Sequence, residues 1–395
     1  YRLNSAGTQT AATPNGVFAK IVGSQSGIAT PPTTAAREVK AYYVGTNIAL
    51  LENLKLVAGA RYEDFTLSST GSGRWGGNLT SASFYGNSPA KILLGALPKD
   101  NPSFTDQKWY PGVGLIYTPV KGVTARLHYS KTTGRPSLRE VSPFFNKSIE
   151  TDNLVTGNPA LKPSDATNQD VRVEWAPNRT DFIAVSVFRK EIERPIEKFI
   201  FTQTVPAVGE NTESWLNNPG TARLRGFELE FRHQFKTWSN ALRDFSLAGN
   251  FTHISATVPE IPAVLTNLLG GYQNAAKIPL QRRLFDQPER IANVDLTWSR
   301  PTWGTSVTLA AFAISDVLVG TGKPTFFDLY ERSYTRLDLV FNQQISSRLK
   351  LKLTVKNLAD PARGLIYDRE ATTALIERNT YHAGRDYSAT VTYDF

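Results

Sequence analysis

The chain has 395 residues, 41% hydrophobic and 20% charged, with no cysteine, no methionine and a net charge of +9. The missing cysteines exclude disulfides and thiolate metal sites, and no run of the ~18 apolar residues that a transmembrane helix needs is present. A pI near 9.5 favours anionic partners in general and does not choose among nucleic acid, lipid phosphates and an anionic ligand.

The chain opens at Tyr1 without an initiator methionine or a signal-like apolar segment, and is expected to be a processed chain or a fragment. Residues 1–37, rich in Ala, Thr, Gly and Ser, read as the tail of a loop. Period-two alternation then dominates. About 13 strands are expected, most near the ~9–11 residues of a tilted membrane strand. They fall at roughly 38–47, 54–65, 108–118, 123–131, 167–175, 181–189, 221–236, 245–256, 291–299, 305–314, 331–344, 349–357 and 385–395. In QDVRVEW (169–175), Val171, Val173 and Trp175 alternate with Asp170, Arg172 and Glu174. FELEFRHQF (227–235) sets Phe227, Leu229 and Phe231 against Glu228, Glu230 and Arg232, and LKLKLTVKN (349–357) sets leucines against Lys350, Lys352 and Lys356.

An apolar face backed by a fully charged one suits two architectures. In a soluble sandwich two apolar faces bury each other; in a membrane barrel the apolar face meets lipid and the charged face lines a wet interior, as a pore or against a plug. The connections separate them. Short ones (48–53, 119–122, 176–180, 237–244, 300–304, 345–348) alternate with long ones (66–107, 132–166, 190–220, 257–290, 315–330, 358–384). Short turns at one end and long loops at the other mark an antiparallel up-and-down transmembrane β-barrel. Trp109, Tyr129, Trp175, Trp298, Trp303 and Tyr393 at strand ends suit interfacial girdles. An odd strand count makes the first and last strands run the same way, so these strands cannot close alone and upstream strands are expected. The expected division is 1–37 as an outer-loop tail and 38–395 as barrel.

GSGRWGG (71–77) holds a G-x-G-x-x-G spacing, but no helix pattern follows it, so it reads as a loop tip. Basic and aromatic residues gather in the long loops: Arg135, Arg139, Phe144, Phe145 and Lys147, then Arg282, Arg283 and Phe285. Two readings stand side by side. Guanidinium and aromatic groups suit a planar or anionic ligand; alternatively they meet lipopolysaccharide phosphates or pair with Glu140, Glu150 and Asp286 between loops. IPAVLTNLLGGYQNAAK (261–277) predicts a short amphipathic helix packed on its own loop rather than capping the mouth. His128, His233, His253 and His382 lack metal-ligand spacing, and no catalytic motif points to an enzyme, a cofactor or a metal site. The chain ends on RDYSATVTYDF (385–395), an unbroken alternation whose last residue is aromatic.

Six stretches in order resemble the C-terminal part of TonB-dependent outer-membrane receptors: ARYEDF (60–65), SKTTGRPSLREVSP (130–143), GNPALKPSDATNQDVRVEW (157–175), NNPGTARLRGFELEFRHQF (217–235), VKNLADPARGLIYD (355–368) and GRDYSATVTYDF (384–395). Ser164-Asp165 departs from the family's acidic residue after LKP. The resemblance implies a barrel of about 22 strands, with the plug and the first strands lying outside this sequence. It implies an energised importer of a scarce large ligand in the outer membrane of a Gram-negative bacterium, with a ferric siderophore as the expected class. TonB with ExbB and ExbD would act through the plug. Other implied partners are outer-membrane lipid and lipopolysaccharide, and the barrel-assembly machinery, which would read Tyr387, Tyr393 and Phe395; nucleic acid is not among them. Ligand-binding residues would be Arg135, Arg139, Phe144, Phe145, Arg282 and Arg283. The alternatives are a passive porin-like or structural barrel, and a soluble β-protein.

Overall fold

The computed structural model describes residues 34–70, 103–141, 145–147, 154–158, 161–202, 211–237, 239–259, 281–320, 328–367 and 376–395. Thirteen strands form one wall in chain order. They are β1 (Thr34–Leu51), β2 (Leu54–Thr70), β3 (Ser103–Tyr117), β4 (Val123–Gly134), β5 (Ser164–Trp175), β6 (Phe182–Glu193), β7 (Thr221–Gln234), β8 (Phe245–Pro259), β9 (Arg290–Arg300), β10 (Thr305–Ile314), β11 (Tyr334–Gln344), β12 (Leu349–Lys356) and β13 (Asp386–Tyr393). Every neighbouring pair is antiparallel. The expected meander is therefore the observed one.

Several strands outrun their expected ends. β1 begins at Thr34 rather than 38, because the pairs Ala35–Ser69 and Arg37–Leu67 continue its ladder with β2. β6 reaches Glu193 and β8 reaches Pro259. The long connections also carry structure that the sequence reading missed. Phe145–Lys147, Leu154–Thr156, Asn211–Asn217 and Ile196–Thr202 form one four-stranded sheet. Val317–Gly320, Leu329–Glu331, Arg363–Tyr367 and Glu377–Tyr381 form another. Runs this short show no period to read. The expected helix at 261–277, the glycine-rich 71–77 and the tail before Thr34 lie outside the described residues.

Register assigns the two faces of the wall. One face carries the row Val173, Val185, Leu229, Phe251, Ala292 and, next to it, Trp175, Ile183, Phe231, Gly249, Val294. These side chains lie open: Val173, Val185 and Val187 are 48%, 44% and 55% exposed. A second sheet would cover such a face in a sandwich. A continuous exposed apolar band of this extent needs a membrane.

The opposite face is polar. Arg172 donates two bonds to Glu230, at 2.8 and 3.0 Å, one to Glu174 at 2.7 Å and one to Ser186 at 2.9 Å. Arg126, directly across from Arg172, binds the same Glu174. Four strands are thus tied by one charge ladder. Gly226 lies on this face beneath the Phe188 ring, where a Cβ would come within 2.5 Å of Phe188 Cζ. The bare backbone is what lets the ring lie flat across the neighbouring strand.

Buried apolar residues sit at the outer end. Phe65 and Leu67 pack with Val141 and Leu161; Ala222, Leu224, Ala256 and Val258 form a second cluster. Described parts of the connections after β4, β6 and β8 therefore fold inward over the mouth. At the other end the turns are tight. Gly304, at φ +66°, closes the turn Pro301–Trp303 by donating to the Pro301 carbonyl at 3.0 Å.

A clasp secures the last strand. Asn357 and Asp360 adopt left-handed conformations, at φ 58° and 45°, which short polar side chains tolerate. Asn357 Nδ2 donates to the Gly384 carbonyl at 2.6 Å, the Gly384 N–H donates to Asp360 Oδ1 at 2.9 Å, and Arg385 Nε donates to the Leu358 carbonyl at 2.8 Å. The starts of VKNLADPARGLIYD (355–368) and GRDYSATVTYDF (384–395) are two halves of this clasp.

The face assignment is tested within β12. Leu353→Arg, on the apolar face, should cost about 2–4 kcal/mol in lipid vesicles, as for a charge near the bilayer midplane. Lys352→Gln, on the other face, should stay within about 0.5 kcal/mol. Denaturant unfolding from vesicles measures both, and equal costs would reverse the assignment.

Candidate ligand-binding site at the outer mouth

The stretch Arg135-Pro136-Ser137-Leu138-Arg139-Glu140 turns the chain inward after β4. It starts α1 (Leu138–Val141) with a reciprocal cap. The Ser137 N–H donates to Glu140 Oε2 at 2.6 Å and the Glu140 N–H donates to Ser137 Oγ at 3.2 Å, satisfying two otherwise orphaned donors. The S-x-x-E spacing was legible in the sequence and was not read as a helix start. Pro136 is fully buried and Val141 joins the Phe65 cluster.

Arg135 does not reach outward. Its Nη2 pairs with Glu63 of β2, and its guanidinium lies 4.4 Å from the centre of the Phe65 ring. Arg61 also donates to Glu63, at 2.5 Å. This contact spans a seam in the wall, because the β3–β4 ladder stops at Gly112–Ser130, next to Pro111. A proline cannot donate to a ladder. Lys108 of β3 bridges the same seam to Asp165 of β5, at 2.9 and 3.0 Å, and Arg194 reaches Asp165 at 2.6 Å. Asp165, seen in the sequence only as a departure from a motif, joins three elements.

The next two motifs hold each other. Asn158 Nδ2 donates to the Trp215 carbonyl at 2.8 Å. Asn217 accepts from the Lys162 N–H at 2.8 Å and donates to the Lys162 carbonyl at 2.9 Å. Below them lies a buried ionic group. Arg282 donates to Glu197 Oε2 at 3.0 Å, Asn218 donates to the same oxygen at 2.8 Å, and Arg282 Nη1 is 2.9 Å from Glu197 Oε1. Glu197, Asn218 and Arg282 are 3%, 1% and 8% exposed. Charges so deeply placed are held only because each has its counterpart.

These elements frame a pocket of about 350 Å³ at the mouth. Arg135 and Glu140 line it from the β4 side, Lys198 and Trp215 from the next long connection, and Phe285 and Asp286 from the one after. Of the sequence candidates, Arg135 lines the pocket itself. Arg139 stands 5.9 Å from the centre of the Trp215 ring, Arg282 lies 4.2 Å from the centre of the pocket's Phe285, and Arg283 reaches Glu289 at 3.4 Å, the Asp316 carbonyl at 3.0 Å and the Tyr330 ring at 5.5 Å. Phe144 lies outside the described residues, and Phe145 is described only as part of its short strand. Lys198 and Trp215 were missed, because only the fold brings their loops to the mouth. Arg135, Arg282 and Arg283 pair with Glu63, Glu197 and Glu289; of the ion-pair partners expected from the sequence, Glu150 lies outside the described residues. At the far end of the wall, Tyr387 and Tyr393 share the apolar face of β13, and Phe395 packs edge-on against Tyr393 at 5.1 Å between centres.

Residues 1–358 match the family model described as TonB dependent receptor-like, beta-barrel. No curated protein matches the sequence. Among solved structures, the chain is similar to the siderophore receptor PiuA from Acinetobacter baumannii, at 14% identity and TM-score 0.60, over 91% of this chain and 44% of that one. It is similar to the copper transporter OprC, at 14% identity and TM-score 0.61, over 91% and 49%. The ferric yersiniabactin uptake receptor FyuA from Yersinia pestis gives 14% identity and TM-score 0.57, over 92% and 46%. The chain spans about half the length of these structures. At such identities the likeness is one of fold.

The buried ionic group gives a direct test of the frame. Glu197→Ala removes the buried carboxylate that Arg282 and Asn218 share and should loosen the mouth by about 3–5 kcal/mol, whereas a Glu197→Leu/Arg282→Met pair should recover most of that loss. Hydrogen exchange over residues 281–286 reports both. Unchanged protection in Glu197→Ala would show that the pair does not hold the loops.

Proposed function

The chain belongs to the TonB dependent receptor-like β-barrel family, a family of the outer membrane of Gram-negative bacteria, and from that premise we propose that it forms the C-terminal wall and outer mouth of an energised importer. The observation that supports this is the inward folding of the long connections. They bring Trp215, Phe285, Lys198 and Asp286 together over a charged inner face. A passive pore needs an open mouth, whereas a capture site needs loops ordered over one.

In this reading, the residues before Thr34 are the tail of an outer loop, the boundary expected at 37 moving to the start of β1, and the chain from Thr34 on belongs to the barrel. β1 and β13 hold odd places in an antiparallel order and run the same way, so closure takes an odd number of further strands. With about 22 in the full barrel, a plug fills the lumen. The charged ladder of Arg126, Arg172, Glu174 and Glu230 would face it. Energy would arrive from TonB with ExbB and ExbD through that plug. The barrel-assembly machinery would read Tyr387, Tyr393 and Phe395, the aromatic end of the final strand.

We infer a ferric siderophore as the ligand class. Of the similar structures, one is a siderophore receptor, one takes up ferric yersiniabactin and one transports copper, so metal uptake is their shared theme. Ligand contacts would come from the aromatic walls of the pocket and from Lys198. Arg135, Arg139, Arg282 and Arg283 would act chiefly by holding the loops in place.

Uptake of iron-loaded siderophores into cells with and without this receptor, each with and without energised TonB, tests the proposal. Import should need both, and Trp215→Ala should weaken ligand capture about tenfold or more, as loss of a buried aromatic contact does. Uptake that is independent of TonB would favour the passive pore. Equal uptake in all four strains would remove the importer reading.

A further inference from the structure

Five charged side chains line the pocket at the mouth, and three of them already have partners within the fold. Arg135 pairs with Glu63. Glu197 is shared by Arg282 and Asn218. Glu140 accepts the Ser137 N–H at 2.6 Å and so caps α1. Lys198 and Asp286 are left. Among the described residues, neither side chain has a hydrogen bond or an ion pair, with the other or with a third group.

The fold sets each of these two charges beside an aromatic ring. Lys198 stands directly across from Trp215 in the antiparallel pair of Ile196–Thr202 with Asn211–Asn217, so the two side chains share one side of that short sheet. Asp286 follows Phe285 on the connection after β8. Its backbone is left-handed, at φ 57°, and its N–H donates to the Leu318 carbonyl at 3.0 Å. That bond ties it to the second short sheet. One wall of the pocket therefore offers a cation with an indole, and another offers a carboxylate with a phenyl ring.

We propose that this pocket selects a zwitterionic group. A carboxylate of the cargo meets Lys198, an ammonium meets Asp286, and an apolar or aromatic body lies between Trp215 and Phe285. At about 350 Å³ the pocket is at the small end of ligand sites, so it seats one compact group. An all-anionic chelate would bring like charge against Asp286, and an all-cationic ligand would bring it against Lys198. A group with both signs leaves neither side chain desolvated and unpaired, which is how a site rejects near relatives of its ligand. The class of cargo thereby narrows to iron chelates that carry a free amino group together with a carboxylate. This inference rests on the pocket being the capture site. Binding is read on the purified receptor, apart from TonB-driven uptake, so either reading can fail alone.

The full receptor, purified from outer membranes into detergent, is titrated by calorimetry with phenylalanine, glycyl-phenylalanine and glycyl-phenylalanyl-glycine, which step the two charges apart. The N-acetyl and C-amide forms of each are the capped controls, and a ferric tris-catecholate is the all-anionic probe. At least one zwitterion should bind about tenfold more tightly than either of its capped forms, as expected for one charge-assisted hydrogen bond at each end. Lys198→Gln should erase the preference over the amide and keep the preference over the acetyl form. Asp286→Asn should do the reverse. A misfolded variant would weaken every probe together, so the crossed pattern reports the site itself. Free and capped forms that bind the wild type alike overturn the proposal, as does the absence of binding by every zwitterion. Tighter binding of the ferric tris-catecholate overturns it too, assigning the pocket to an anionic cargo. The crossed pattern together with TonB-independent uptake would keep the pocket's chemistry and remove the importer reading instead.

Discussion

Backbone that crosses hydrocarbon must find every hydrogen-bond partner on a neighbouring strand. That constraint shapes the rest of this molecule. Within the apolar band the chain cannot leave its ladder, and at one end it turns back over short connections, such as that closed by Gly304. Outside the band it is free to wander, and there the connections lengthen and fold. A seam between β3 and β4 opens near the outer edge of the band. β3 and β4 part above Gly112–Ser130, three residues before β3 reaches the level at which Trp109 pairs with Tyr62. There the bridges Lys108–Asp165 and Arg135–Glu63 take over from strand pairing.

The motifs that identify the family acquire a physical meaning from this division. None of them lies in the middle of the band as a chemical site. Glu63 of ARYEDF receives Arg135 of the R-P stretch. Asn158 and Lys162 of GNPALKP meet Trp215 and Asn217. Asn357 and Asp360 hold Gly384, and Leu358 receives Arg385. Each motif fastens one outer connection to another or to the wall. A long loop that stays ordered over an opening must pay its conformational entropy through such contacts. Polar clasps suit a rim that is wet on one side better than an apolar core would.

The thirteen wall strands were legible because alternation and the short–long rhythm of connections are local signals. Strand ends were less so: β1 gained Thr34–Arg37 from pairing with Leu67–Thr70, which no window of sequence contains. The short loop sheets carry no period. The candidate site was legible as composition and not as geometry. Arg135 finds its carboxylate 72 residues away and Arg282 finds its own 85 away. Basic and aromatic residues in long loops therefore looked alike whether they face a ligand or a neighbouring loop. Lys198 and Trp215, which line the pocket, had no distinguishing sequence context.

Two directly opposed arginine pairs show how far charge alone can mislead. Both occur on adjacent strands, and in sequence each is one basic residue in an alternating run. Inside, Arg126 and Arg172 are matched by Glu174 and Glu230, so this part of the inner wall presents a neutral, cross-linked group. A matched group can hold polar contacts with whatever fills the lumen without binding anions that pass through it. Outside, Arg189 and Arg225 are opposed with too few carboxylates. An excess of charge beside lipid is tolerable only where long side chains can reach the interface and meet a counter-charge there. The net charge of +9 is thus not spread evenly as an attraction for ligand. Much of the mouth's basic character is spent internally, and the outer pair looks toward the membrane rather than toward the cargo.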